Sequence, residues 1–302
     1  MLQNNKLLLG KVVSEHIKNK FLKDIKELHS YGIVPKLAAV LVGDDPASKI
    51  YVNTKHKTFL KYECSSEIYH LKDNSKEKEI LTLLDDLNND NDVHGILVQF
   101  PLPPHLDANK VISFINPKKD VDGLHPLNLG YLMQGNPKFI PCTPLGCIEI
   151  LKHYNINVNS KDVVIIGRSN LVGKPLFSLL SQRFKFGNGT VTLCHSATKN
   201  LKMYTKNADI IIVAVGSPQM LTEDMIKSDS IIIDVGINRV DDNSEKGYHI
   251  VGDVDFDNMI HKVSYITPVP GGVGPMTITM LLNNTILSAK NQSGKFPEDS
   301  YL

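Results

Sequence analysis

The sequence predicts an α/β protein of two domains, the second of them built on a doubly wound parallel sheet. Short β-branched runs alternate with segments whose apolar residues recur at helical spacing, as in parallel sheets covered by helices. A chain of 302 residues, 42% of them hydrophobic, is long enough for two cores. The stretch Pro141-Cys-Thr-Pro144 has the composition of a linker, with Thr143 as the expected cap of a helix from Leu145 to His153.

The first domain is predicted to open with an amphipathic helix, whose apolar positions are Val13, Ile17, Phe21, Ile25 and Leu28. A buried strand, residues 37–42, follows and closes in the turn Gly43-Asp-Asp-Pro46, which also starts a second helix. Residues 66–71 are typical of a further strand and residues 80–87 of a further helix.

The second helix carries three polar side chains in one row. Ser48, Tyr51 and Lys55 are three and four residues apart, so they share one face of the helix. A hydroxyl, a phenol and an amine in line favour a ligand-binding face. The alternative is an ordinary solvated face, which the other lysines of this helix also fit. The helix alone leaves both interpretations open.

Polar side chains also follow two later segments of the first domain. A buried strand, residues 95–98, runs into Gln99 and a loop stiffened by prolines. Because α/β proteins bind ligands at the carboxyl ends of strands, the Gln99 amide is a candidate site residue. Asp120 and Asp122 follow in a similar position. Capping of a turn is expected to account for one of these two carboxylates.

The second domain is organised around residues 162–180. A β-branched run ends in Gly167, and apolar residues then recur at helical spacing from Leu171 to Leu180, which predicts a strand, a tight turn and a helix. Five residues separate Gly167 from Gly173, which excludes a P-loop, and Ser169 replaces the second glycine of the usual dinucleotide fingerprint. A turn without a ligand is the alternative that this segment leaves open.

The next segments favour a dinucleotide. Strands are predicted at residues 190–195, 209–215 and 230–237, and a helix at 201–207. NAD-binding domains usually carry an acidic residue for the ribose at the end of the second strand, but this chain has Cys194-His-Ser-Ala-Thr198 there. With Arg168 and Ser169 in the first turn, the site suits a 2′-phosphate, so the residues favour NADP over NAD.

A loop dense in proline and glycine follows near the end of the chain. Residues 265–277 hold three prolines and three glycines, which let the backbone approach a ligand and keep the loop rigid. An apolar helix is predicted from Met276 to Leu287, returning to pack on the first domain. The polar residues from Asn291 onward are expected to form a frayed tail.

Composition excludes several classes of function. A formal net charge of +1 without a basic run gives no support to nucleic-acid or membrane binding. The four cysteines form no C-x-x-C pair, and the eleven histidines form no zinc motif, so neither a disulfide framework nor a metal site is indicated. No signal peptide or membrane-spanning run is evident, and we expect a cytoplasmic protein with a small-molecule partner.

Eight short motifs together are more specific than any one of them. In chain order they are Ser48-x-x-Tyr51-Val-x-x-Lys55, Val98-Gln-Phe-Pro-Leu-Pro103, Lys119-Asp-Val-Asp-Gly123, Pro141-Cys-Thr-Pro144, Gly167-Arg-Ser-Asn-Leu-Val-Gly173, Asp234-Val-Gly-Ile-Asn238, Gly252-Asp253 and Pro268-Val-Pro-Gly-Gly-Val-Gly-Pro-Met-Thr277. In this order they resemble the bifunctional methylenetetrahydrofolate dehydrogenase/methenyltetrahydrofolate cyclohydrolase family (FolD), over nearly the whole chain.

The resemblance implies two reactions. 5,10-Methylenetetrahydrofolate is oxidised with NADP⁺ to the 5,10-methenyl form, which water then opens to 10-formyltetrahydrofolate. Lys55 is implied to be the catalytic amine, Gln99 to orient or tune it, Tyr51 to pack against the folate and Asp122 to hydrogen-bond the pterin. A free lysine has a pKa of roughly 10.4, so partial burial must lower the pKa of Lys55 for proton transfer near pH 7.

The same resemblance implies the remaining site residues. Those expected to bind the folate substrate are Ser48, Tyr51, Asp122, Pro270, Gly271 and Gly272. Those expected to line the NADP site are Gly167, Arg168, Ser169, Ser196 and Ile237. The chain is about four residues longer than the family pattern near residues 183–189, which bears on where Ser196 lies.

The implied organisation is a folate-substrate and catalytic domain at 1–143, a Rossmann-like NADP-binding domain at 144–275, and the returning helix with its tail at 276–302. An active-site cleft is expected between the two domains, and a homodimer is implied. Two other hypotheses stay open: an amino-acid dehydrogenase of two domains, and a non-catalytic regulator that binds a dinucleotide. Neither hypothesis explains the row with Tyr51 and Lys55 as well as a flat heterocyclic substrate does.

Overall fold

The structure is a computed structural model that describes residues 6–244 and 247–297. It divides the chain into two compact units. The first unit comprises residues 17–142 and 278–297, and the second comprises residues 6–16 and 143–277. Within these described stretches, no helix is both long enough and apolar enough to cross a bilayer.

The domain limits drawn from the sequence also assign a function to each part, and that assignment stays a prediction. Residues 1–5, 245–246 and 298–302, including the end of the predicted polar tail, lie outside the described residues.

The first unit is built on a parallel sheet of three strands in the order β2-β1-β3. The elements up to residue 133 are α1 (Gly10–Ser30), β1 (Lys36–Val42), α2 (Pro46–Lys61), β2 (Ser65–Leu71), α3 (Glu77–Asn89), β3 (Gly95–Val98), α4 (Ala108–Phe114) and α5 (Pro126–Met133). The strands and α1, α2 and α3 were expected from the sequence, whereas the short helices α4 and α5 were not.

Local chemistry explains where the first elements begin and how they pack. All five apolar positions predicted for α1 are buried. The Asp45 carboxylate caps α2 by accepting a hydrogen bond from the Ser48 N–H at 2.8 Å, and Pro46 occupies the first turn, where its missing N–H costs nothing. Strands β1 and β3 pack with α3 and α4 into one apolar core, which includes Val40, Leu84, Ile96 and Val111.

The second unit contains a parallel sheet of five strands in the order β10-β7-β6-β4-β5, and an antiparallel hairpin of β8 and β9. The elements from residue 142 are α6 (Cys142–His153), β4 (Asp162–Ile166), α7 (Gly173–Ser181), β5 (Thr190–Cys194), α8 (Leu201–Thr205), β6 (Ile210–Val213), a 3₁₀ turn (Glu223–Met225), β7 (Ile231–Asp234), β8 (Asn238–Asp241), β9 (Tyr248–Val251), α9 (Phe256–Met259), β10 (Tyr265–Ile266) and α10 (Val273–Ser293).

Strand β4 is the point where the order of the five-stranded sheet reverses. It pairs with β5 on one side and with β6 on the other, and both pairings are parallel. The register places Ile166 opposite both Cys194 and Val213, so the chain leaves all three strands at one edge. In open α/β sheets this switch point is where ligands bind. The predicted doubly wound, Rossmann-like sheet is confirmed.

Three local predictions were wrong. Thr143 is not a cap, because α6 already begins at Cys142; Pro144 is tolerated there since the first turn of a helix lacks acceptors for its N–H groups. Leu171 is not on the apolar face of α7, since the helix begins only at Gly173 and this leucine is 44% exposed. The strand predicted at residues 230–237 is shorter than expected, because β7 ends at Asp234.

The predicted fraying from Asn291 was also wrong for the described residues, because α10 continues to Ser293. Polar side chains in the last two turns of α10 are held by hydrogen bonds within the first unit. The Ser288 hydroxyl donates to the carbonyl of His94 at 2.6 Å, and the Gln292 amide donates to the same oxygen at 2.8 Å. Low hydropathy alone was therefore not enough to predict that these residues are frayed.

Candidate active site

Two of the predicted polar residues leave the three-stranded sheet at the same edge. Gln99 extends β3 by one residue, since its backbone N–H donates to the carbonyl of Val40 at 2.9 Å. The segment that carries Asp122 lies on the other side of β3, where the Ile96 N–H donates to the carbonyl of Lys119 at 2.8 Å. Because all of these segments run parallel, their carboxyl ends meet at one edge.

Lys55 reaches this edge from helix α2, which follows β1 directly. Its Nζ donates a hydrogen bond to Oε1 of Gln99 at 2.9 Å. The other end of the same amide, Nε2, donates to the carbonyl oxygen of Phe100 at 2.7 Å, so the amide oxygen is turned toward the amine. The structure thus joins two residues that the sequence singled out on separate segments.

Burial and opposite charge set the protonation of this group. Burial lowers the pKa of Lys55, and the negative charge of Asp122 acts against that shift. Burial likewise raises the pKa of Asp122, and the positive charge of Lys55 opposes it. A lysine with a lowered pKa is uncharged for a larger share of the time near neutral pH, and an uncharged amine can accept a proton from water.

The Cys142 thiol is part of this cluster, although the sequence gave it no role. It is buried and donates to the carbonyl of Val121 at 3.4 Å. Burial, followed by the negative charge of Asp122, raises the pKa of the Cys142 thiol well above its usual range, so the group stays protonated. The thiol has a single hydrogen, which can go either to the carbonyl of Val121 or to the carboxylate of Asp122, and donation to Asp122 lowers the pKa of that carboxyl.

Asn284, in the middle of α10, ties together the segments that carry Asp122 and Cys142. Its Nδ2 donates to the carbonyl of Val121 at 2.8 Å and to that of Ile140 at 3.0 Å. The sequence signal was a side-chain amide among the polar positions of a helix that was predicted to be apolar from Met276 to Leu287. A buried amide in such a place needs partners, and here they are backbone carbonyls next to the site.

The other two members of the helical row differ in exposure. Tyr51 lies one turn before Lys55 and is 40% exposed, which leaves its ring available to a flat ligand. Ser48 is only 3% exposed, and its N–H belongs to the cap of α2. Its role in binding substrate stays a prediction.

Asp120 has the turn-capping role that was expected of one of the two carboxylates. It is buried and accepts hydrogen bonds from the N–H groups of Leu124 at 3.1 Å and His125 at 2.8 Å, and from Nδ2 of Asn128 at 2.8 Å. Burial raises the pKa of Asp120, and these hydrogen bonds oppose the shift. The neighbouring Asp122 lies near Lys55 instead, and its contact with a ligand stays a prediction.

The turn after β4 in the second unit has the close backbone approach that a dinucleotide requires. Gly167 has φ +121°, and its N–H donates to the carbonyl of Cys194 at 2.9 Å. A Cβ at Gly173 would lie 1.9 Å from the carbonyl oxygen of Gly167, so only glycine fits at the start of α7. The residues present fit a phosphate group at the amino end of this helix.

Four further predicted cofactor residues lie around this edge of the sheet. Arg168, Ser169, Ser196 and Ile237 are all exposed. The Ser169 hydroxyl accepts a hydrogen bond from the Val172 N–H at 3.1 Å, and its own hydrogen remains able to donate to a ligand. Their contacts with a cofactor stay a prediction.

The longer loop between α7 and β5 ends before the strand that leads to Ser196. The loop closes on itself, because the Asn188 N–H donates to the carbonyl of Gln182 at 2.7 Å. It ends where β5 begins, and the register of β5 with β4 then holds through Cys194. Ser196 therefore follows the paired strand by two residues.

The loop with Pro270, Gly271 and Gly272 is close-packed within the second unit. Its Val269–Pro270 peptide bond is cis, and Gly271 has φ +108°. The carbonyl of Gly271 accepts a hydrogen bond from the Lys11 N–H at 3.1 Å, and a Cβ at Gly10 would lie 1.9 Å from the carbonyl oxygen of Gly272. The backbone here is fixed, while its contact with a substrate stays a prediction.

Two family models match the chain. Residues 8–122 match the tetrahydrofolate dehydrogenase/cyclohydrolase catalytic domain, and residues 141–293 match the NAD(P)-binding domain of the same family. Among curated relatives, the bifunctional protein FolD of Campylobacter concisus is 51% identical over 290 residues, covering 96% of this chain and 99% of that protein. FolD of Oceanobacillus iheyensis is 51% identical over 284 residues, covering 94% and 96%.

Solved structures agree with these relatives. The FolD methylenetetrahydrofolate dehydrogenase/cyclohydrolase of Campylobacter jejuni has a TM-score of 0.89 and 50% identity, and the match covers 94% of this chain and 98% of that one. The Trypanosoma brucei enzyme, solved with NADP cofactor and an inhibitor, has a TM-score of 0.89 and 34% identity, with coverage of 96% and 98%.

Proposed function

Because the chain belongs to the tetrahydrofolate dehydrogenase/cyclohydrolase family, we propose that it oxidises 5,10-methylenetetrahydrofolate with NADP⁺ and hydrolyses the resulting 5,10-methenyl compound to 10-formyltetrahydrofolate. The observation that carries the proposal is the hydrogen bond from Lys55 to Gln99 beside Asp122. The two other hypotheses from the sequence, an amino-acid dehydrogenase and a non-catalytic regulator, do not agree with the family.

In the hydrolytic step, Lys55 accepts a proton from water. The water oxygen adds to the carbon between N5 and N10 of the methenyl cation. The hydroxyl of this adduct then loses its proton, N5 takes up a proton, and the bond from that carbon to N5 breaks, which leaves the formyl group on N10. One proton is released overall. The lowered pKa of Lys55 increases the neutral fraction of its amine, and a general base in such a position contributes roughly a hundredfold or more in rate.

The neighbouring residues place the folate and the amine. Gln99 holds the amine by one end of an amide whose other end is fixed on a backbone carbonyl. Asp122 accepts hydrogen bonds from the pterin, and the exposed ring of Tyr51 packs against it. Ser48 and the loop from Pro270 to Gly272 complete the proposed folate-binding residues. Correct alignment of the reacting groups supplies much of the rate enhancement in such reactions.

The second unit holds NADP in this proposal. The turn from Gly167 to Ser169 and the start of α7 receive the phosphates, while Ser196 lies where the 2′-phosphate is expected and Ile237 borders the cofactor. When bound, NADP⁺ supplies the hydride acceptor for the oxidation of the methylene carbon. A neutral hydroxyl after β5, where NAD-binding domains carry an acidic residue, supports NADP rather than NAD.

The proposal has a direct test. Purified protein is mixed with 5,10-methylenetetrahydrofolate and either NADP⁺ or NAD⁺, and absorbance follows the reduced cofactor. Loss of the methenyl chromophore is followed separately in the absence of cofactor. We expect turnover with NADP⁺, slower turnover with NAD⁺, and hydrolysis of the methenyl compound. Cofactor binding with neither reaction would contradict the proposal.

We also infer a homodimer and a cytoplasmic location. The dimer rests on the family resemblance, and light scattering after size exclusion tests it: twice the mass of one chain is expected, and the mass of one chain would contradict it. The four cysteines are free thiols, which fits a reducing compartment such as the cytoplasm.

A further inference from the structure

Two buried aspartates at the edge of the five-stranded sheet have no part in the proposed chemistry. Asp234 ends strand β7, and Asp253 follows strand β9; they are 3% and 0% exposed. No lysine or arginine of the described residues forms an ion pair with either carboxylate. Buried carboxyl groups without a counter-ion need hydrogen bonds that compensate for the lost hydration, and burial raises the pKa of Asp234 to about 7 in spite of them.

The Asp253 carboxylate accepts hydrogen bonds from the loop that follows β6. Its Oδ2 accepts hydrogen bonds from the N–H groups of Val215 at 2.7 Å and Gly216 at 3.0 Å. Its Oδ1 accepts from the N–H of Ser217 at 2.9 Å and from Nδ2 of Asn238 at 2.9 Å. Three successive N–H groups that converge on one anion form a nest, and here a carboxylate of the chain itself fills it.

Asp234 fixes the backbone of Asp253 from the other side. Its Oδ1 accepts from the N–H of Gly236 at 2.9 Å and from that of Asp253 at 3.0 Å, and its Oδ2 accepts from the N–H of Val254 at 3.0 Å. A Cβ at Gly252 would lie 1.8 Å from Oδ2 of Asp234. The glycine of the Gly252-Asp253 motif is thus needed for this close approach.

The loop held by Asp253 adjoins the proposed cofactor turn. Ala214 directly precedes this loop, and a Cβ at Gly167 would lie 2.2 Å from the carbonyl oxygen of Ala214. Ile237 stands between Gly236 and Asn238, and both neighbours contact the Asp253 carboxylate: a Cβ at Gly236 would lie 2.3 Å from its Cγ. One side chain therefore ties together the backbone after β6 and the backbone around Ile237.

We propose that Asp253 is a positioning residue for NADP. It locks the loop Val215–Ser217 and the segment of Ile237 into one wall beside the Gly167 turn. The N–H groups of that loop already donate to Asp253, so they are not available to a phosphate. The phosphates of NADP therefore bind at the turn after β4. This inference rests on the proposed function, since Ile237 and Gly167 are assigned to the cofactor there.

The test compares Asp253→Asn with the wild type in the full-length protein. An asparagine offers a single oxygen, so in either orientation its NH₂ group faces N–H donors of the chain. We expect the Kd for NADP⁺, measured by titration calorimetry, and the KM for NADP⁺ to rise roughly tenfold or more. The KM for 5,10-methylenetetrahydrofolate and the cofactor-free cyclohydrolase rate are expected to stay within about twofold, because the other unit supplies Lys55.

A further measurement reports on the loop without any cofactor. Hydrogen–deuterium exchange of residues 214–218 is expected to be faster in Asp253→Asn than in the wild type. Asp257→Asn, the same change at an exposed aspartate on α9, is the matched control and is expected to match the wild type in every measurement. Asn238→Ala removes one hydrogen bond to Asp253 and is expected to raise the Kd for NADP⁺ by roughly two- to tenfold.

The outcomes separate this inference from the proposed function. If the wild type shows neither activity, the proposed function fails. If the wild type is active and Asp253→Asn binds NADP⁺ as tightly as the wild type, the positioning role is refuted. A loss of cyclohydrolase activity equal to the loss of NADP⁺ affinity would also refute it, because it would mean general misfolding. Should Asp253→Asn fail to fold, Asn238→Ala decides by the same Kd and exchange measurements.

Discussion

Replacing Gln99 by glutamate tests the link between the geometry around Lys55 and the hydrolytic step. The substitution keeps the shape of the side chain and places a negative charge at the oxygen that lies 2.9 Å from the Lys55 amine. Two unit charges at this distance attract by roughly 6 kcal/mol at an effective dielectric constant of about 20. The new carboxylate also loses hydration, so the net rise in the Lys55 pKa is about one to three units.

The direction in which Gln99→Glu shifts the pH–rate profile follows from the fact that the neutral amine of Lys55 is the base. A raised pKa keeps Lys55 protonated to higher pH, and each unit lowers the neutral fraction about tenfold. We therefore expect the acid limb of the cyclohydrolase pH–rate profile to move up by about one to three units. At pH 7 the rate falls roughly 10- to 1000-fold, and it recovers as the pH is raised.

The assay is the loss of methenyl absorbance at a series of pH values, with two control variants. Gln99→Met removes the hydrogen-bond acceptor without adding charge, so its acid limb is expected not to move to higher pH. Gln134→Glu makes the same change at an exposed glutamine at the end of α5 and is expected to behave as the wild type. An acid limb of Gln99→Glu that stays in place, or moves to lower pH, would refute Lys55 as the base.

Three further variants test the site and the fold. Lys55→Met is expected to lower the cyclohydrolase rate by about a hundredfold or more and to leave NADP⁺ affinity within about twofold, as calorimetry would show; full hydrolytic activity would contradict the assignment. Gly173→Ala places a Cβ 1.9 Å from the carbonyl oxygen of Gly167 and is expected to weaken NADP⁺ binding roughly tenfold or more. The control is Gly130→Ala, whose Cβ would meet nothing within 4 Å. This control is expected to leave the stability of the protein unchanged or to raise it slightly. Asp120→Ala removes an acceptor of three hydrogen bonds and is expected to lower the free energy of unfolding in urea by about 3 kcal/mol; a change below about 0.5 kcal/mol would contradict its structural role.

Much of the fold could be predicted because hydrophobic periodicity is a local property. The helix from Val13 to Leu28 and the strands β1 and β4 show their burial in their own residues, so their type was predictable. The hairpin of β8 and β9 and the short helices α4 and α5 were not found. The residues of β8 and β9 are partly or fully exposed, so the strands carry little hydrophobic signal. The limits of such short elements depend on the residues that they pack against.

The candidate site was predictable to the level of residue types, but not of contacts. Lys55 and Gln99 were each singled out on their own segments, and only the parallel register brings them to 2.9 Å. The sequence did not identify Cys142 and Asn284 as neighbours of Asp122. Neither a linker motif nor an apolar helix indicates which backbone carbonyl its polar side chains will contact. A long-range hydrogen bond has no signature in local spacing.

The sequence by itself determined the class of fold, the presence of two α/β domains and the family, because these follow from periodicity and from motifs in order along the chain. The tertiary structure decided which of two nearby carboxylates caps a turn and which lies near Lys55, and it showed that Asp234 and Asp253 are held by backbone N–H groups. The physical reason is that protonation and hydrogen bonding depend on burial and on partners far apart in sequence. These are fixed only when the strands have taken their register.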